Sequence, residues 1–148
     1  MIKASIDRLL YLTEFIPELF SKIPEDEFSR KPHPDKWSKK EILGHLIDSA
    51  SNNHQRFVRI QFEEIPVIGY DQNLWNTHSR YNEMDKDHLV NFWKLYNRHL
   101  AEIVKRIPEE NLNRVSKVSN DRQPVTLKFL FNDYISHMEH HLRQIADF

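Results

Sequence analysis

The feature that most constrains the fold is a set of four long stretches in which apolar residues recur at helical spacing. They span about 2–23, 38–62, 85–107 and 126–148. Prolines lie at or beyond their boundaries, at Pro24, Pro66, Pro108 and Pro124. With only two glycines in 148 residues, the chain lacks the tight-turn residues of a sheet-rich fold. The pattern predicts an all-α protein, and we expect residues 1–148 to form one four-helix domain.

The second stretch carries the clearest start signal. Ser38 and Glu41 have the spacing of a capping box, in which each side chain accepts a hydrogen bond from a free backbone N–H. Helical spacing then predicts core positions along three stretches: Ile42, Leu46, Ile47, Phe57, Val58 and Phe62; Leu89, Phe92, Trp93, Tyr96, Leu100 and Val104; Leu127, Leu130, Phe131, Tyr134, Met138, Leu142 and Ile145.

The connection between the second and third helices is unusually long. It covers about twenty residues, 65–84, and carries Tyr70, Asp71 and Trp75. Loops of this length in a small domain are often functional. We therefore weigh two interpretations: a surface crossover that covers one end of the bundle, or a segment that shapes the mouth of a pocket.

Composition excludes several classes of function. Charged residues make up 29% of the chain with a net charge of −1, which gives no electrostatic footprint for nucleic acid or an anionic membrane. There is no long apolar run and no secretory signal pattern, so we expect a cytoplasmic protein. The absence of cysteine removes thiolate ligands, so a transition-metal site must use imidazole, carboxylate and water.

Three of the nine histidines fall on apolar faces. His137 and His141 are four residues apart, one helical turn, and continue the stripe of Leu130 and Tyr134. His45 lies three residues after Ile42 on the second helix. Three imidazoles from two helices, with a fourth position open, are a common ligand set of a metal centre that binds water or substrate.

Simpler explanations exist for each of these signals. A histidine pair at this spacing also arises by chance, and a single interior histidine is more often a hydrogen-bonded core residue. Asp48, one turn after His45, is a candidate catalytic residue that accepts a proton or orients a histidine, or else a surface carboxylate. Gln144 fits a ligand-orienting role less well than that of a solvated helix-end residue. His140 and the remaining histidines have no interior partner at chelating spacing.

Motifs along most of the chain resemble the DinB/YfiT-like superfamily. They are Lys36-Trp37-Ser38-Lys39-Lys40-Glu41-Ile42-Leu43-Gly44-His45-Leu46-Ile47-Asp48-Ser49, Tyr70-Asp71-Gln72-Asn73-Leu74-Trp75 and His137-x-x-x-His141-Leu142-Arg143-Gln144-Ile145. The resemblance implies an up-down-down-up four-helix bundle with a long crossover between helices 2 and 3. It also implies one divalent metal ion, nickel or zinc, held by His45, His137 and His141, and a homodimer.

Activity follows less directly from the resemblance. Similar proteins include thiol-dependent S-transferases, whose cosubstrate is an external low-molecular-weight thiol, and metal-dependent hydrolases. We therefore expect a metal-dependent enzyme that activates water or a small thiol against a small-molecule substrate. The alternatives are a non-enzymatic metal- or ligand-binding bundle, such as a stress-related ligand binder, and an interaction bundle whose histidines are fortuitous.

Overall fold

The computed structural model describes residues 2–148 and contains the four long helices that the sequence predicts. These are α1 (Ile2–Ser21), α3 (Lys39–Arg59), α5 (Lys86–Val104) and α6 (Leu127–Ile145). Shorter elements connect them: α2 (Glu25–Ser29), α4 (Gln72–Ser79), 3₁₀ turns at Tyr81–Glu83 and Glu109–Asn113, and strands β1 (Val115–Ser116) and β2 (Val125–Thr126). The two strands pair antiparallel, with Val115 opposite Thr126.

The bundle has the up-down-down-up order. Helices α1 and α3 each pack against both α5 and α6. The contacts Ser5–Asn132 and Arg8–Glu139 show that α1 is parallel to α6. The contacts Glu14–Lys94 and Phe20–Lys86 show that α1 is antiparallel to α5. The contacts His45–His137 and Phe57–Phe131 show that α3 is antiparallel to α6. Helices α3 and α5 therefore run in the same direction, which requires a long crossover.

The capping box at the start of α3 forms as the sequence predicts, and α6 also begins at a capped residue. Ser38 caps α3, and its own N–H donates to Glu41 at 2.8 Å while the Glu41 N–H donates to the Ser38 hydroxyl at 3.0 Å. Thr126 caps α6 by accepting from the N–H of Phe129. All seven predicted apolar positions of α6 are buried, so this helix presents a continuous face to the core.

Two predicted core positions are wrong. Phe62 is 69% exposed and Phe92 is 45% exposed. Phe62 lies beyond the end of α3 at Arg59, so helical spacing no longer applies to it. Phe92 lies on the outer side of α5, next to the buried Trp93, and stacks on His88 with ring centroids 6.4 Å apart.

The crossover is partly helical and packs on α3. Asp71 caps α4 by accepting from two backbone N–H groups, and Asn76 donates to the carbonyl of Glu41 at 2.8 Å. Tyr81 packs directly over Gly44, where any side chain would overlap its ring. The segment therefore forms an ordered cover on the first half of α3. None of the helices within residues 2–148 combines the length and the apolar character needed to cross a membrane.

Candidate metal centre

Helices α3 and α6 bring His45, His137 and His141 together. One ring nitrogen from each lies within 4.8 Å of the other two. The Nε2 atoms of His45 and His137 are 3.2 Å apart. His45 is buried, whereas His137 and His141 are half-buried. This is the arrangement expected where antiparallel helices present one imidazole on one side and an i, i+4 pair on the other.

Burial keeps the three imidazoles neutral. It lowers the pKa of His45 to about 3 and that of His137 to about 4, and the neighbouring histidines reinforce both shifts. Burial also lowers the pKa of His141, although Gln144 opposes the shift. A neutral imidazole has a free lone pair, so protons compete little for these nitrogens at pH 7.

Gln144 sets the orientation of His141. Its Oε1 lies 2.9 Å from Nδ1 of His141. Because an amide oxygen only accepts, Nδ1 carries the proton and Nε2 keeps its lone pair. Such partners on the second nitrogen are typical of metal-binding histidines. Gln144 is exposed, as expected of a solvated helix-end residue, and it also makes the histidine contact expected of the alternative, ligand-orienting role.

The donor set fits a divalent transition metal. Three imidazoles suit zinc or nickel, and the cluster lies beside open space. Pro32, Lys36, Trp37, Asn73, His141 and Gln144 help to line a cavity of about 430 Å³ on one side. The Trp37 ring lies 5.0 Å from that of His45 and walls the same side. Nε2 of His45 faces Nε2 of His137 at 3.2 Å, which makes it the nitrogen that points into the cluster, whereas the buried Nδ1 has no hydrogen-bond partner among the described residues.

Asp48 is not a surface carboxylate. It is buried, and the Tyr81 hydroxyl donates to its Oδ1. Its Oδ2 has no partner among residues 2–148, and it makes no hydrogen bond to the three histidines. Burial raises the pKa of Asp48 to about 6, against the opposing effect of the Tyr81 hydrogen bond. The carboxyl group therefore changes protonation state near neutral pH.

The crossover residues singled out from sequence have different roles. Tyr70 lines a cavity next to His137, and its ring contacts Trp75 at 5.4 Å between centroids. Trp75 is 39% exposed. Asp71 caps α4 rather than facing the histidines. Of these residues, only Tyr70 shares a cavity wall with one of the three histidines.

A buried polar stripe runs along α3. It comprises His45, Asp48, Ser49, Asn52, Asn53 and Arg56. The sequence prediction includes His45 and Asp48 but misses the other four, although all six recur at spacings of three and four residues. Ser49, Asn53 and Arg56 help to line the cavity beside His137.

Two other histidines meet outside this centre. The rings of His54 and His99 lie 5.6 Å apart, and Nδ1 of His54 is 2.9 Å from the Tyr96 hydroxyl. In the part of the chain that the structure describes, no third histidine or carboxylate joins them to make a three-ligand group. His140 is exposed, as predicted.

Comparisons with known proteins agree with this architecture. The sequence model of the DinB superfamily matches residues 13–145. YfiT of Bacillus subtilis (strain 168), named as a metal-dependent hydrolase on a provisional basis, is 24% identical over 151 residues. That match covers 98% of this chain and 84% of YfiT. The solved YfiT structure is described as a probable metal-dependent hydrolase with an unusual four-helix bundle topology. It matches with a TM-score of 0.87 and 18% identity, over 97% of this chain and 82% of that one.

Proposed function

The chain belongs to the DinB superfamily, and on that premise we propose that it is a metal-dependent hydrolase of a small molecule. The observation that carries the proposal is the cluster of three neutral imidazoles within 4.8 Å of one another. In this proposal His45, His137 and His141 hold one divalent ion, nickel or zinc. The name of the related YfiT supports hydrolysis as the reaction class.

A divalent ion held by these residues would supply Lewis acidity, which would make water nucleophilic near neutral pH and polarise a carbonyl oxygen. The protein contributes the rest. Two packed helices hold the three nitrogens in place, and Gln144 keeps Nε2 of His141 free to bind. Trp37 covers one side of the cluster and restricts access of bulk water to His45.

Asp48 is the proposed general base. A base works best when its pKa lies near the working pH, and burial brings the pKa of this carboxyl group to about 6. Tyr81 holds Oδ1, which leaves Oδ2 as the atom that takes a proton. The side chain projects from α3 one turn after His45, on the same helix as that ligand.

Thiol S-transfer is the second candidate, and one observation favours it. Separate cavities of about 140 and 430 Å³ adjoin His137 and His141. Transfer of a group between two substrates needs two binding sites beside the ion, whereas hydrolysis needs one substrate-binding site and space for water. In this alternative the ion would stabilise an external thiol as thiolate.

The test is an activity screen of the zinc- or nickel-loaded protein against small esters and amides, with and without a small thiol. His45→Ala and Asp48→Asn are the comparison variants. The proposal predicts turnover without thiol that both variants lose. Turnover only with thiol would favour S-transfer instead. Rates equal to those of His45→Ala for all substrates would indicate a bundle whose metal has no catalytic role.

A further inference from the structure

A small cavity next to His137 is lined by the buried side chain of Arg56. It has a volume of about 140 Å³, enough for a few water molecules or one small polar group. Its walls include Ser49, Asn53 and Arg56 from α3, Tyr70 from the crossover, and Asp133 and His137 from α6. The cavity therefore connects the proposed metal centre to the arginine.

Arg56 uses only part of its hydrogen-bonding capacity. Its Nε and Nη2 donate to the carbonyl of Ile68 at 3.0 and 2.7 Å, and Nη1 donates to Oδ1 of Asn53 at 3.3 Å. A guanidinium has five N–H donors, so two remain, one on each terminal nitrogen. The side chain is only 8% exposed, which leaves the cavity as the space those donors can serve.

The charge of Arg56 has no ion-pair partner. No carboxylate within residues 2–148 comes within 4.0 Å of its guanidinium. Burial lowers the pKa of Arg56, and the charges of Tyr70 and of Asp133, the exposed acidic residue on the cavity wall, oppose that shift only in part. A buried charge that lacks a close counter-charge is costly. An anionic occupant would offset that cost, which a neutral one cannot do.

We propose that this cavity is the subsite for a carboxylate group of the substrate, bound by the two free N–H groups of Arg56. The inference rests on the proposed function and names its substrate class: a small organic acid whose reacting bond lies between the carboxylate and the metal centre. Tyr70 and Asn53 flank the occupant, and His137 marks the side on which the reaction occurs.

Charge favours a carboxylate over a phosphate. Either group can accept from two N–H groups of one guanidinium, but a phosphate carries more charge and more acceptor oxygens than one arginine can satisfy. Asp133 on the same wall would further disfavour a doubly charged group. Its repulsion also explains how the subsite would select a singly charged acid.

Binding of acetate to metal-free protein tests the subsite separately from catalysis. Acetamide serves as the neutral isostere, inorganic phosphate as the competing anion, and the readout is the NMR shift of the Arg56 Nε–H and Asn53 amide signals. Arg56→Gln should weaken acetate binding about tenfold or more, because a hydrogen bond to a charged group contributes about 1.5–3 kcal/mol. Arg59→Gln, which removes an equal charge one turn away, should leave the affinity unchanged.

Asp133→Asn provides a second arm, because Arg56 also anchors the Ile68 carbonyl and its replacement can disturb the fold. Removing this exposed charge should strengthen acetate binding about twofold. Equal shifts with acetamide, or an unchanged acetate affinity in Asp133→Asn and in folded Arg56→Gln, would overturn the proposal. Tighter binding of phosphate than of acetate would overturn the carboxylate assignment. Acetate binding without hydrolysis in the loaded protein would contradict the proposed function alone.

Discussion

At the residue scale, burial rather than ion pairing determines the protonation states of His45 and Asp48. The same desolvation that lowers the pKa of His45 to about 3 raises the pKa of Asp48 to about 6. Burial disfavours the charged form of each group. His45 therefore stays neutral, and the pKa of the Asp48 carboxyl group moves toward neutral pH. One helix, α3, thereby carries the proposed metal ligand His45 and the proposed general base Asp48 one turn apart.

Asp48→Asn should make the metal-free protein more stable at pH 8 while reducing activity in the loaded protein. The pKa of Asp48 is about 6 in the folded chain and 3.8 in the reference state. The folded state therefore holds this proton more tightly. The stabilisation of the folded state by the protonated Asp48 carboxyl group is fully present below pH 3.8 and is lost as the pH rises through about 6. Urea unfolding should show a gain on the order of 2 kcal/mol at pH 8, and a smaller gain at pH 5.

Asparagine keeps an oxygen to accept from Tyr81, so the hydrogen bond itself is preserved as the internal control. The same gain in unfolding free energy at pH 5 and pH 8 would show that ionisation of Asp48 does not limit stability. Because Asp48 is the proposed general base, Asp48→Asn should reduce turnover about 100-fold or more.

Replacing Gln144 should weaken metal binding without unfolding the protein. Gln144→Leu removes the acceptor for Nδ1–H of His141, and loss of such partners typically lowers metal affinity about tenfold or more. Gln144→Glu, which retains an oxygen at this position, is the matched control and should bind at least as tightly as the parent. Competition with a chromophoric zinc chelator measures both. A leucine variant with the parent's affinity would refute the orienting role.

At the scale of elements, the sequence predicts the features that residues close together in the chain determine, such as helix caps and apolar stripes. The capping box of α3 and the seven-residue apolar stripe of α6 are local patterns, and both are confirmed. Phe92 was misassigned because the edge of an apolar face depends on where adjacent helices pack. The contacts Tyr81–Asp48 and Arg56–Ile68 join residues from separate elements. Sequence spacing within one helix carries no information about them.

Gly44 is required by the crossover rather than by α3. A methyl group there would overlap the Tyr81 ring, so Gly44→Ala should lower the free energy of unfolding by about 1–3 kcal/mol. At an exposed helix position, Gly→Ala would instead raise the free energy of unfolding by about 1 kcal/mol. The sign of the measured change therefore distinguishes the two situations. Urea unfolding is the measurement.

A Tyr81→Ala background provides the control for Gly44→Ala. With the ring removed, the alanine has space, and the substitution should become neutral or stabilising. If Gly44→Ala is equally destabilising with and without Tyr81, the close approach of the crossover is not its cause.

At the scale of the whole molecule, a single core positions the helices that carry the three histidines. The apolar faces of α1, α3, α5 and α6 form one core, and the three histidines project from two of those helices. Chelation should therefore leave the helical circular dichroism unchanged while the thermal midpoint falls, because an ion that binds only the folded state stabilises it by mass action. Loss of helical signal on chelation would instead indicate a structural metal.

Elemental analysis of protein purified without a histidine tag, alongside His45→Ala and His137→Ala, tests most directly whether the three histidines hold a metal ion. A single three-imidazole site predicts about one equivalent of zinc or nickel per chain in the parent. Both variants should lose it while remaining folded. A parent that holds no metal after incubation with excess zinc and nickel would contradict the three-histidine metal site, as would variants that retain the full equivalent.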